Sequence, residues 1–157
     1  MPDIVVTRTF AATAQQVWDA WTVPEQVMCW WGPQGFTSPS ARMDVREGGR
    51  SLVCMRSPDG HDFYNTWTYS QVAEPERLEF TMGFADADGN PVDPVALGLP
   101  PDIPHPVRHV VQLRESAGKT ELTVTEFGYA DGPTYELSKA GLEQCIDKMA
   151  DSLSSPG

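Results

Sequence analysis

The chain is short of positive charge. Eleven Lys and Arg stand against 22 Asp and Glu, a formal net charge of −11. A surface of that sign repels phosphate backbones and anionic lipid, so nucleic acid and membrane are not expected as partners. Long hydrophobic runs are also absent, and no segment reaches the apolar length that spans a bilayer. The N-terminal residues Met1-Pro2-Asp3-Ile4 lack the basic region and apolar core of a secretion signal, so the expected location is the cytoplasm. Cysteine is scarce. Cys29, Cys54 and Cys145 are odd in number and form no CxxC and no zinc spacing, which reads as reduced, mostly buried thiols. There is no GxSxG, no P-loop, no catalytic cysteine setting and no metal cluster, and no cofactor is expected.

What the chain has in excess is tryptophan near one end. Four of its five tryptophans, Trp18, Trp21, Trp30 and Trp31, fall within fourteen residues. Indoles at this density must be buried, because each removes a large apolar area from water. Ile4 to Phe10 is β-branched and reads as a strand. Thr13-Ala14-Gln15-Gln16 matches a capping box, which starts a helix that buries Val17, Trp18 and Trp21 and stops before Pro24. Pro24 suits the first turn of a second short helix, which ends at Gly32-Pro33. Further strands are expected at 37–46, 50–57, 62–73, 76–83, 107–115 and 119–128, with turns at Gly48-Gly49, Pro58-Asp59-Gly60 and Ala117-Gly118. Leu142, Cys145, Ile146, Met149 and Leu153 recur at helical spacing within a long helix over 134–153, whose wet face carries Lys139, Glu143, Asp147 and Asp151.

The segment 84–106 breaks this pattern. It contains Pro91, Pro94, Pro100, Pro101, Pro104 and Pro106, which remove ladder donors and forbid a regular strand. A loop this long is expected to lie over a functional site and to be more mobile than the strands. Asp86-Ala87-Asp88-Gly89-Asn90 is an acidic turn rather than a calcium loop. Its glycine is out of register, and Leu97 stands where a bidentate glutamate is required.

With 157 residues, the chain is expected to form a single domain over 1–157 with a real core. The order is one strand, two short helices, six strands and a long helix, with helices segregated from antiparallel strands. That is an α+β fold, and a curved sheet wrapped around the C-terminal helix satisfies it.

Several stretches carry a resemblance. They are Phe10-Ala11-Ala12, Val17-Trp18-Asp19-Ala20-Trp21-Thr22, Pro24-Glu25, Trp30-Trp31-Gly32-Pro33, Phe36-Thr37, Asp44 to Arg50, Pro58-Asp59-Gly60, Pro75 to Leu78, Gly118 to Thr123, and Gly141. In this order the chain resembles the SRPBCC (START-like, helix-grip) superfamily, and within it the subgroup named after the C-terminal domain of the activator of the heat-shock-protein-90 ATPase. The resemblance covers nearly the whole chain. It implies the helix-grip fold and a cavity between sheet and long helix. For function it implies three alternatives. The first is a binding protein for a small hydrophobic or amphipathic molecule. The second is a cyclase- or hydrolase-like enzyme. The third is a co-chaperone-type interaction protein, with chaperone contact and a place in stress response. The chain departs from the subgroup twice. Leu142 stands where tryptophan often follows the glycine, and the 84–106 loop is longer and richer in proline.

Alternation places candidate residues on the inner face of the sheet. Val107, His109, Val111 and Leu113 share one face, as do Leu122, Val124 and Glu126. A turn at Ser116-Ala117-Gly118-Lys119 sets Leu113 opposite Leu122, Val111 opposite Val124 and His109 opposite Glu126. An imidazole beside a carboxylate is either an acid/base dyad, a ligand-orienting pair, or a structural pair closing the rim. Trp30, Trp31, Phe36, Met43, Met55, Trp67, Phe80, Leu142 and Met149 are candidates to line a cavity with His109 and Glu126, about half of the large apolar ones being plain core. His61 and His105 are expected in exposed turn or loop positions. A homodimer is compatible with the sequence.

Overall fold

The computed structural model describes residues 3–154. β1 (Ile4–Phe10) is followed by α1 (Ala14–Thr22) and α2 (Pro24–Trp30). Then come β2 (Ala41–Arg42), β3 (Arg50–Arg56), β4 (Asp62–Ala73) and β5 (Arg77–Ala85). A 3-10 turn (Pro94–Leu97) precedes β6 (Val107–Ser116), β7 (Lys119–Glu126) and α3 (Pro133–Ser154). The seven strands form one antiparallel sheet in the order β1-β7-β6-β5-β4-β3-β2. The sheet curves around the long helix α3, with α1 and α2 beside it. This is the α+β helix-grip architecture.

Local chemistry explains the element ends. Thr13 accepts from the Gln16 amide at 3.1 Å, while Gln16 Oε1 accepts from the Thr13 amide at 2.8 Å, so the capping box closes in both directions. Pro24 opens α2 at a position where a missing amide costs nothing. Between β6 and β7, Ala117 and Gly118 both take positive φ, at 54° and 77°, which is the two-residue hairpin turn. Ser116 therefore pairs with Lys119, and every pair back to His109 and Glu126 follows in register.

One strand is much shorter than expected. Only Ala41–Arg42 pairs as a ladder, with an isolated bridge from Thr37 to Arg56, where 37–46 was expected. Pro39 has no amide to donate, and the Asp44 amide bonds the Ser51 hydroxyl of β3 at 3.1 Å instead of a backbone carbonyl of that strand. The 84–106 segment also differs. Phe84 and Ala85 extend β5, and the rest carries local order. Asp86 Oδ1 accepts from the amides of Asp88 and Asn90 at 2.9 and 3.0 Å, forming the acidic turn. Asp93 caps the 3-10 turn, which ends at Gly98 in the left-handed region.

The core lies between the concave sheet face and α1 to α3. Trp18, Trp21, Trp30 and Trp67 are 3% exposed or less, and Trp31 is 8% exposed. Trp21 meets Trp30 at 4.7 Å, and Trp67 stacks on Phe80 at 4.8 Å. Leu142, Cys145, Ile146 and Met149 of α3 close over them. Burial pushes the Cys145 thiol up to about 11, which keeps it an inert packing group at neutral pH.

Candidate functional site

The concave face holds two features: a buried polar pair and a cavity. They do not coincide.

The pair is His109 and Glu126. Both project inward from β6 and β7, and His109 Nε2 lies 2.9 Å from Glu126 Oε2. His109 Nδ1 lies 3.2 Å from the Val107 carbonyl oxygen, so each ring nitrogen faces an oxygen. The ring also stacks on Phe80 with centroids 4.8 Å apart and planes 14° apart. His109 is 3% exposed and Glu126 is 7% exposed. Tyr129 is buried beside them, and its phenol is pushed up first by burial and then by the charge of Glu126. Both ring nitrogens thus face protein oxygens, and Phe80 covers one face of the ring.

The cavity lies elsewhere along the concave face and is partly open to solvent past the exposed Leu137. It has a volume of about 280 Å³. Its sheet wall consists of Met55, Phe63, Asn65, Met82 and Phe84, and its other walls are Trp31, Pro33 and Phe36, Leu99 and Ile103 of the long loop, and Leu137, Ser138 and Gly141 of α3. The first turns of α3 leave this space because Ser138 and Gly141 are small, and a Cβ on Gly141 would meet no heavy atom within 4 Å. Gly32 shapes the wall opposite. It takes φ of +104°, and a Cβ there would come within 2.9 Å of the Phe36 Cβ, so only glycine admits this close turn. Lys148 of α3 holds the same segment by donating to the carbonyls of Gly32 at 2.8 Å, Phe36 at 3.1 Å and Pro33 at 3.4 Å. Burial pushes the Lys148 ammonium down from its ordinary value. The loop is tied from both sides: Thr134 of α3 bonds Asp102 at 2.7 Å, and Arg50 bonds the Gly89 carbonyl at 3.2 Å.

Of the residues expected at the cavity, the structure brings together Trp31, Phe36 and Met55. Trp30, Trp67, Phe80, Leu142 and Met149 are buried in the core and do not line it. Trp30 instead donates its indole N–H to the Ala20 carbonyl at 2.7 Å. Met43, just after β2, is half-buried against the core and does not line the cavity. His109 and Glu126 pair as expected, but neither lines the cavity. His61 and His105 are exposed. The loop does border the cavity, through Leu99 and Ile103.

Sequence reading missed Phe63, Asn65, Met82, Phe84, Leu137, Ser138 and Gly141. The signal was available for four of them. Phe80, Met82 and Phe84 alternate on one face of β5, and Asn65 is a lone amide in the inward stripe Phe63, Asn65, Trp67, Tyr69 of β4. Larger depressions on the outside, of about 740 and 800 Å³, have mainly charged and polar walls such as Glu76, Arg77, Arg114 and Asp151. No group of three or more metal-ligating side chains occurs among the described residues.

Comparison with known proteins bears on the fold. Residues 11–154 match the family model described as Activator of Hsp90 ATPase homolog 1-like protein. Protein Ms6760 from Mycobacterium smegmatis is 26% identical over 99% of this chain and 92% of its own, with a TM-score of 0.76. A protein from Arthrobacter aurescens is 25% identical, covers 99% of this chain and 87% of its own, and has a TM-score of 0.79. The AHSA1 protein from Silicibacter pomeroyi is 19% identical over 98% of each chain, with a TM-score of 0.76, a likeness of fold alone. No curated protein matches the chain.

Proposed function

The chain belongs to the family of Activator of Hsp90 ATPase homolog 1-like proteins, and from that premise we propose that it is a single-domain cytosolic binding protein. It holds a small hydrophobic or amphipathic molecule between the sheet and α3. One observation carries this reading: a cavity of about 280 Å³ with walls of aromatic, methionine and aliphatic side chains, broken only by a few polar groups. Pockets for small molecules have this composition, and methionine walls adapt to irregular ligands. At about 30 Å³ per water-sized group, the space suits a body of about nine non-hydrogen atoms.

The His109–Glu126 pair is structural in this reading. It closes the inner face where β6 meets β7, and its removal acts on stability rather than on ligand. A chaperone contact of the kind the family name describes needs a continuous apolar face. The exposed large apolar side chains Val5, Met28, Val95 and Leu137 stand on four different elements, so the cavity is the better-supported site.

Calorimetric titration with 1-octanol tests the proposal. The wild-type chain and His109→Gln should bind it, and Gly141→Leu, which places a side chain into the cavity, should not. Equal binding by wild type and Gly141→Leu would place the ligand elsewhere. Loss of binding in His109→Gln with the fold intact would return the site to the dyad.

A further inference from the structure

Asn65 is the one residue of the cavity wall that the packing does not explain. It is 1% exposed, and it sits on the inner face of β4 between Phe63 and Trp67, opposite Val53 and Phe84 in the neighbouring strands. Its Oδ1 has no hydrogen-bond partner. A buried acceptor left alone is costly, and leucine, of similar size, would fill the same place without that cost. Among the described residues, the other buried side-chain polar atoms without a partner are the indole N–H groups of Trp21, Trp31 and Trp67, of which Trp31 also borders the cavity. These indoles pack among aromatic rings, with Trp21 4.7 Å from Trp30 and Trp31 5.1 Å from Trp67, and an N–H can rest on an aromatic face. An amide oxygen has no such substitute. The charge of the wall matters as well. None of the described residues that line the cavity is ionisable. An anion or cation entering would lose part of its water with no counter-ion in the wall, and the chain's net charge of −11 opposes an anion further.

We propose that the cavity selects a neutral ligand whose apolar body carries a hydrogen-bond donor, a hydroxyl or an amide N–H, and that Asn65 Oδ1 reads that donor. This inference rests on the binding-protein reading and names its ligand class. Asn65 is then a specificity-determining residue, retained at some cost to the empty fold.

Three probes separate the possibilities: 1-octanol, its isomer 1-methoxyheptane, and octanoate. The ether is the more apolar isomer, so a featureless cavity ranks it first. With Asn65 as reader, wild-type protein binds 1-octanol about tenfold more tightly than the ether, the scale of one net hydrogen bond, and binds octanoate most weakly. Asn65→Leu should reverse the order of the two isomers and should melt no lower than wild type. Equal or inverted affinities of the isomers for wild type would overturn the donor reading while leaving the cavity reading intact. Octanoate binding tightest would overturn the neutral class. Binding of neither isomer would bring down the cavity reading and this inference together. If Asn65→Leu does not fold, the wild-type ratio alone decides.

Discussion

The two ends of the concave face are made of similar residues and reach opposite states. Under Leu142 to Met149 of α3, the indoles, Phe80 and the His109–Glu126 pair are buried against one another. Under Leu137 to Gly141, an equally aromatic set leaves about 280 Å³ open. The difference lies in the helix more than in the sheet. One stretch of α3 presents Leu142, Cys145, Ile146 and Met149 inward, and the other presents only Ser138 and Gly141 alongside the half-turned Leu137, which is 69% exposed. The His109–Glu126 pair packs under Phe80 at the filled end, and the polar side chains at the open end, Asn65 and Ser138, are uncharged.

Several substitutions can break or sharpen this contrast. The largest effect is expected at the filled end. Trp30→Ala should cost about 3–5 kcal/mol in urea denaturation, because it empties a fully buried indole site and frees the Ala20 carbonyl. An unchanged midpoint would show that this end is not close-packed.

His109→Gln comes next, at about 2 kcal/mol, the scale of leaving a buried hydrogen-bonding group without its partner. Its affinity for 1-octanol should stay within about twofold of wild type. A large loss of affinity without loss of stability would merge the two ends into one site.

The outer face of the sheet supplies a control. Glu79 is held below the ordinary carboxylate range by hydrogen bonds from Arg108 and then Arg77, against the opposing effect of burial. Its folded value lies below its unfolded one, so its contribution to stability is complete above the unfolded carboxyl pKa, about 4.3, and is lost as pH falls through the lowered folded value. Glu79→Gln should cost about 1 kcal/mol at neutral pH, discounted because both guanidiniums are partly exposed, and should flatten the acid limb of the stability curve. An acid limb identical to wild type would contradict this, and neither case should alter ligand affinity.

The smallest effect is at the open end. Gly141→Ala should raise stability by about 0.5–1 kcal/mol, since it removes a glycine from a helix interior and its Cβ meets nothing within 4 Å. A lower melting temperature would mean that α3 sits closer to the sheet there.

The filled end was largely legible from the residues. Thr13 and Gln16 announce α1, the Ala117-Gly118 turn sets the register, and alternation alone brings His109 to Glu126. These signals are local, or propagate from one turn along a ladder. The open end was not legible in the same way. A cavity is defined by what fails to meet, and that depends on how far Ser138 and Gly141 let α3 stand from β4 and on where the long loop brings Leu99 and Ile103. Neither distance is encoded in a spacing. The shortening of β2 was within reach, because Pro39 lacks the donor that a longer strand requires. Trp67, Phe80 and Met149 were named as cavity candidates by residue type, and residue type does not separate a wall from a core.

Methionine methyl resonances report on both ends in one spectrum. Met55 and Met82 border the cavity, and Met149 is fully buried in the filled end. On titration of wild-type protein with 1-octanol, the Met55 and Met82 methyl signals should shift in a saturable way while Met149 stays in place. Movement of Met149 with Met55 and Met82 unmoved would contradict the division of the concave face, and so would a titration in which none of the three moves.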